Sequence, residues 1–253
     1  MKMHVLSGGR LRMRKSVYLP DAERTETIDL PVSCVLLRHA KANVLFDTGC
    51  HPSTLTDAAA RWGTMAKAMV TIGGPNDHVL AGLAAVGLAP DDIDIVVNSH
   101  FHSDHCGCNE FFKRATVYCH RKELDVAQGS DSVQRGYVAA DWQHSMPVET
   151  LDGERDVFGD GRIVLVPLPG HTPGTLGALV GLERDGSFLL AADAVALRPN
   201  LDHEVMPRNT WNSDLAMNSL LEIKRLQAGG ATVVFGHDLE QWNTLRKGVD
   251  AYE

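Results

Sequence analysis

Within six positions the chain places three imidazoles and a carboxylate, His100-Phe101-His102-Ser103-Asp104-His105, directly after the apolar run Ile93-Asp94-Ile95-Val96-Val97-Asn98. Side chains on a strand alternate faces, so His100 and His102 can point the same way at a strand's mouth. The turn that follows can swing Asp104 and His105 into the same cavity. Imidazole nitrogen and carboxylate oxygen are ligands that suit a divalent cation such as zinc. Gathered without a cation, they would need water or other hydrogen-bond partners. The pattern therefore predicts a metal site at the end of a buried strand rather than a solvated polar loop.

Three further acceptors stand at expected strand ends. His171 lies in Pro169-Gly170-His171-Thr172-Pro173-Gly174, Asp193 follows Leu189-Leu190-Ala191-Ala192, and His237 follows Val233-Val234-Phe235-Gly236. Flanking glycines allow sharp turns at the mouth of a sheet, where sites on α/β folds gather. Apolar runs predict strands over 3–6, 17–19, 32–37, 44–46, 93–98, 116–119, 163–166, 176–180, 188–190 and 232–235. Helical spacing is expected over 52–70, over 78–86 with Gly87 as the stop, and over 213–226 with Ser213 as N-cap. Residues 129–150 lack a clear period. Strands mixed with helices along 253 residues point to a layered α/β architecture, read as a single domain over 1–253.

A net charge of -8 argues against an extended phosphate-binding surface. The basic stretch Arg10-Leu11-Arg12-Met13-Arg14-Lys15 alternates charged and apolar residues, as a strand with one solvated face would. Five cysteines, an odd count without a CxxC pair, suit free thiols in a reducing compartment, and the chain is expected to be cytoplasmic. Cys106 and Cys108 beside the histidines are expected to pack as small hydrophobes. No apolar segment is long enough to span a bilayer, and Met1-Lys2-Met3-His4 opens no secretory signal.

His-x-His-x-Asp-His at 100–105, Gly170-His171-Thr172-Pro173-Gly174, Asp193 after its apolar strand and Gly236-His237 together resemble the metallo-β-lactamase superfamily over nearly the whole chain. The resemblance implies an α/β (α+β) fold, the four-layer αββα sandwich, with metals at one edge of its two sheets. Carried over residue by residue, it implies two divalent ions, zinc ahead of iron, cobalt or manganese. His100, His102 and His171 would hold one, Asp104, His105 and His237 the other, and Asp193 would bridge both. Aspartate rather than cysteine at 193 favours a dinuclear hydrolase, because a carboxylate can bridge two hard or borderline cations.

Within the superfamily the chain is most similar to the N-acyl homoserine lactonases. Leu30-Pro31-Val32-Ser33-Cys34 with Asp47-Thr48-Gly49 resembles their N-terminal pattern, and Phe235-Gly236-His237-Asp238-Leu239-Glu240-Gln241 their C-terminal one. Asn98-Ser99-His100-Phe101-His102 with Asp104-His105-Cys106-Gly107 also resembles the pyridoxolactonases. The implied activity is opening of a lactone ring, N-acyl homoserine lactone first, by attack of a metal-bridging hydroxide on the carbonyl. Asp104 and Asp193 are the implied catalytic carboxylates, with Asp104 carrying a proton to the leaving alkoxide.

One position departs from the resemblance. The lactonases commonly place a tyrosine three residues after the bridging aspartate, and this chain has Ala196 there. Carbonyl polarisation then falls to the metal or to another donor such as Tyr137, His203 or Trp142, with Arg208 a further expected substrate contact. Phe101, Met65, Met69, Met146 and Trp211 suit either an apolar wall for an acyl chain or plain core packing, with core the commoner use of such residues. The expected partner is a small lactone, with no nucleic acid and no membrane, for a monomer or homodimer. The rivals are a thioester hydrolase, a mononuclear iron persulfide dioxygenase and a nucleic-acid phosphodiesterase. A scaffold without activity would be expected to lose ligands, and all seven positions are filled.

Overall fold

A computed structural model describes residues 1–253. The first sheet contains β1 (Lys2–Arg14), β2 (Thr27–Arg38), β3 (Asn43–Phe46), β4 (Val70–Ile72), β5 (Ile95–Val97), β6 (Thr116–His120) and β7 (Val148–Leu151). Its spatial order is β4-β1-β2-β3-β5-β6-β7. The second contains β8 (Arg155–Asp156), β9 (Ile163–Pro167), β10 (Leu176–Gly181), β11 (Ser187–Ala192) and β12 (Thr232–Phe235), in the order β12-β11-β10-β9-β8. Strands β3, β5, β6 and β7 run parallel, as do β11 and β12, and the other pairs are antiparallel.

The side-chain period of two explains the layers. In β2, Val35 and Leu37 join a cluster with Leu165, Ala178 and Leu190 of the second sheet, while Cys34 and Leu36 face the helical side with Leu83 and Phe112. The same split separates Leu190 and Val234, which face inward, from Leu189 and Val233, which pack with Leu220 and Ile223 of the helix Ser213–Ala228. Both faces of each sheet are thus buried, which is why these strands read as continuous apolar runs rather than strict alternation. The result is a mixed α/β sandwich of two sheets with helices on their outer faces, as the sequence motifs implied.

Several expected boundaries shift. Residues 17–19 are not a strand: β1 continues through the alternating basic stretch, pairing Arg12 with Asp29 and Arg14 with Thr27, and then enters a 3-10 turn at Lys15–Val17. The expected helix over 52–70 is only Thr54–Trp62, broken in geometry at Asp57, and a turn at Gly63–Lys67 leads into β4. Asn212, not Ser213, caps the long helix, its side chain accepting from the Leu215 amide. The unreadable stretch 129–150 contains a short helix, Ala139–Trp142, and the start of β7, elements too short to display a period. No helix is long and apolar enough to cross a membrane.

Candidate metal centre

Parallel strands end at the same edge of the sandwich, and that edge collects the predicted residues. Beyond β3 comes Asp47, and beyond β5 come His100 and His102, followed by a helical turn, Ser103–Cys106, carrying Asp104 and His105. His171 lies in the β9–β10 loop, Asp193 directly follows β11, and His237 lies two residues past β12. Close approach dictates the small residues here. A Cβ on Gly236 would fall 2.7 Å from Asp193 Oδ1 and 2.8 Å from the Ala192 carbonyl oxygen. Asp47 and Ala192 both hold positive φ, 58° and 45°, a conformation costly for non-glycine residues and concentrated at functional sites.

All seven residues converge. Their ligand atoms form three overlapping groups, His100/His102/His171, His100/His105/Asp193 and Asp104/His105/His237, each within 4.8 Å. The Asp193 carboxylate faces both ways. Its Oδ1 lies 2.9 Å from His237 Nε2 and 3.3 Å from His105 Nε2, and its Oδ2 lies 3.4 Å from His171 Nε2. Asp104 Oδ2 completes the His105/His237 side at 3.7 and 3.6 Å.

Outer partners set the imidazole orientations. His105 Nδ1 is 2.8 Å from the buried Asp47 carboxylate, and His237 Nδ1 is 3.0 Å from the Pro31 carbonyl oxygen. Each donates there, so Nε2 presents a lone pair to the cavity. His102 is reversed: Nε2 meets the Arg135 carbonyl oxygen at 3.1 Å, leaving Nδ1 to face His171 Nε2 at 3.0 Å. Two imidazole lone pairs so close repel unless a proton or cation lies between them. The buried Nε2 atoms of His100, His105 and His237 and Oδ1 of Asp193 make no hydrogen bond. The His237–Asp193 approach is close but lacks hydrogen-bond alignment. Orphaned buried acceptors of this kind fit divalent cations.

Burial first, and then neighbouring imidazoles, hold His100 well below the usual histidine range. Burial likewise takes His171 down to about 3, against the pull of Asp193. His105 and His237 go up although burial opposes it, because Asp104 and Asp193 face both, with Asp47 adding to His105. Asp193 stays well below the carboxylate range despite burial, chiefly through His237 and His105.

The expected substrate contacts are scattered. A cavity of about 280 Å³ opens onto Asp104, Asp193, His102 and His171 and is walled by Met13, Tyr18, Met65 and Met69. Tyr137 and Trp211 line a smaller adjoining cavity with His102 and His171. Phe101 is turned into the core, where Trp142 stacks on it at 5.5 Å between centroids. Met146 also belongs to that core, and Ala196 is buried in the cluster containing Tyr18. His203 is exposed on a separate groove with Arg12 and Asp238. Arg208 clamps backbone: its amide donates to the Val17 carbonyl at 2.7 Å and its guanidinium to the Pro20 carbonyl at 2.8 Å.

Sequence reasoning passed over Tyr18, Asp47 as a histidine partner, and Glu123. Fully buried, Glu123 accepts from the Phe101 amide (3.0 Å), the Thr172 hydroxyl (2.7 Å) and the Gly174 amide (3.1 Å), tying the His102 loop to the His171 loop. Its only sequence signal is a glutamate in a polar helix, Arg121–Ala127, with nothing to mark it as inward-facing.

The family model of the metallo-beta-lactamase superfamily matches residues 27–237. The N-acyl homoserine lactonase AttM of Azorhizobium caulinodans is 27% identical over 262 residues, covering 100% of this chain and 99% of that protein. The N-acyl homoserine lactonase AiiB of Agrobacterium fabrum is 29% identical, covering 99% and 98%. Among solved structures, an N-acyl homoserine lactone hydrolase with the product N-hexanoyl-L-homoserine bound at its catalytic metal centre superposes with a TM-score of 0.89. It is 26% identical, and the match covers 99% of this chain and 98% of that one.

Proposed function

The chain belongs to the metallo-beta-lactamase superfamily, and on that premise we propose that it is a dinuclear metal hydrolase that opens the ring of N-acyl homoserine lactones. The observation that carries this reading is Asp193, whose two carboxylate oxygens face different histidine groups. His100, His102 and His171 would hold one divalent ion, and Asp104, His105 and His237 the other, with Asp193 facing both groups. Two such ions, zinc in our reading, would bring the pKa of water near neutrality and lend Lewis acidity to a carbonyl oxygen.

The chain's own residues do the rest. The outward hydrogen bonds of His102, His105 and His237 fix which nitrogen faces the cavity, so the site is organised before substrate arrives. Hydrolysis joins the water oxygen to the lactone carbonyl carbon and breaks the ring C–O bond. Asp104, on the cavity wall, takes the water's proton and passes it to the leaving alcohol oxygen. The product is an N-acyl homoserine carboxylate. Met13, Met65 and Met69 give the acyl chain an adaptable apolar wall. Five free, buried thiols suit a reducing compartment such as the cytoplasm. Lactonase relatives matching nearly end to end support the substrate class.

A pH-stat screen of metal-replete protein tests the reading, using acyl homoserine lactones, simple γ- and δ-lactones, pyridoxolactone and a thioester. Acid release is expected fastest with the acyl homoserine lactones. Cleavage of the thioester with no lactone opened would overturn it.

A further inference from the structure

We propose that Tyr18 supplies the hydrogen-bond donor that meets the substrate's carbonyl oxygen, a role that rests on the hydrolase reading above. Ester hydrolysis places negative charge on that oxygen, and a pre-positioned donor at that point strongly lowers the barrier. Tyr18 is 3% exposed and lines the same cavity as Asp104 and Asp193. Its ring lies 6.1 Å from that of His237, edge to face at 72°. The phenol's partner is the Met13 sulfur at 3.4 Å, and a thioether is a weak acceptor that a carbonyl or carboxylate oxygen can displace. Met13 lines the cavity as well, so the O–H already lies along its wall.

Of the other donors on this cavity, the Ser103 hydroxyl is buried without a hydrogen-bond partner but sits on a much shorter side chain, and Arg135 pairs with Asp131 at 2.7 Å. Gln134 and Asn209 are exposed. Tyr18 is also deliberately held. Its carbonyl oxygen accepts from Asn200 Nδ2 at 2.9 Å, and the two Arg208 bonds grip the residues on either side of it. Ala196, in the same buried cluster, leaves the phenol its space; a larger side chain there would compete for it.

The test is Tyr18→Phe, which keeps an aromatic ring in the buried cluster that Tyr18 shares with Leu11, Leu30 and Trp62. With metal content matched to wild type, kcat for lactone opening is expected to fall roughly a hundredfold while KM changes little. Turnover within about twofold of wild type overturns the proposal. A second readout needs no turnover: ultraviolet difference spectra on adding hexanoate to the metal-loaded protein. A tyrosine perturbation is expected in wild type and in Tyr137→Phe, and not in Tyr18→Phe. Its persistence in Tyr18→Phe, or its absence from wild type, overturns the assignment. If wild type opens no lactone, the functional reading fails on its own, and the spectra still decide Tyr18.

Discussion

His105 and His237 lean on the sandwich itself, whereas His102 and His171 lean on loops. Asp47, which orients His105, follows a central strand of the first sheet and is locked by the Ser99 amide and hydroxyl, both at 2.7 Å. Pro31, which orients His237, lies within β2. On the other side, His102 is oriented by Arg135, in an exposed turn, and the His171 loop is tied to the core through Glu123. One half of the centre inherits rigidity from strands buried on both faces. In the other half the loops that carry His102 and His171 are tied together by a single buried carboxylate, and Asp193 couples the two halves.

That coupling predicts the largest effect. Asp193→Asn removes the charge shared between the halves and turns one oxygen into a donor facing imidazoles. Turnover is expected to fall by at least about a thousandfold, with bound metal dropping below two ions per chain by elemental analysis. Near-normal activity with full metal would break the two-sided picture.

The halves are separable one step further out. Asp47→Ala is expected to weaken cation binding on the His105 side by about ten- to a hundredfold. Glu123→Gln replaces an oxygen accepting from Thr172 and Gly174 with a donor, or flips that conflict onto Phe101. Such buried mismatches cost about 2–4 kcal/mol in total, seen as a lowered Tm, and should loosen the His102/His171 side. Cobalt titration separates the cases, because its absorption spectrum reports each ligand set. Identical spectral changes in both variants would show that the halves are not independently supported.

Protonation sharpens the contrast. His105 and His237 are raised by their carboxylates, so in the metal-free chain they carry protons near neutral pH, and ligation through Nε2 must expel them. His171, pushed down to about 3, is already neutral there. Cation affinity on the His105/His237 side should therefore climb with pH until those protons are gone, while His171 itself has no proton to release near neutrality. Calorimetric zinc titrations in buffers of different ionisation enthalpy measure the protons released. No release at about pH 6–7 would contradict the raised values.

The ligands were legible in both halves, because each follows an apolar run that reads as a buried strand: Ile95–Val97 before His100, His102 and His105, Ile163–Pro167 before His171, Ser187–Ala192 before Asp193 and Thr232–Phe235 before His237. What supports the ligands was not legible, because carbonyl partners such as Pro31 and Arg135 carry no side-chain signal. Glu123 looks like any solvent-facing helix glutamate, and Tyr18 reads as part of a strand until the 3-10 turn at Lys15–Val17 redirects it. Phe101 lies between two inward-facing histidines, and alternation sends it to the core rather than to substrate.

The smallest effect is expected where the loop-held half looks most vulnerable. Arg135 touches His102 through its main-chain carbonyl alone, and its guanidinium is spent on an exposed pair with Asp131. Exposed pairs contribute little, and truncation leaves the carbonyl in place. Arg135→Ala should keep full metal content, turnover within about twofold and a Tm within about a degree of wild type. Gly136 is the stricter position. It holds φ at +88°, and a Cβ there would stand 3.4 Å from the His102 ring, so Gly136→Ala should disturb His102 where Arg135→Ala does not. If Arg135→Ala instead loses metal or activity comparably, the guanidinium takes part in the site, and the loop-held half owes its geometry to a side chain rather than to its backbone.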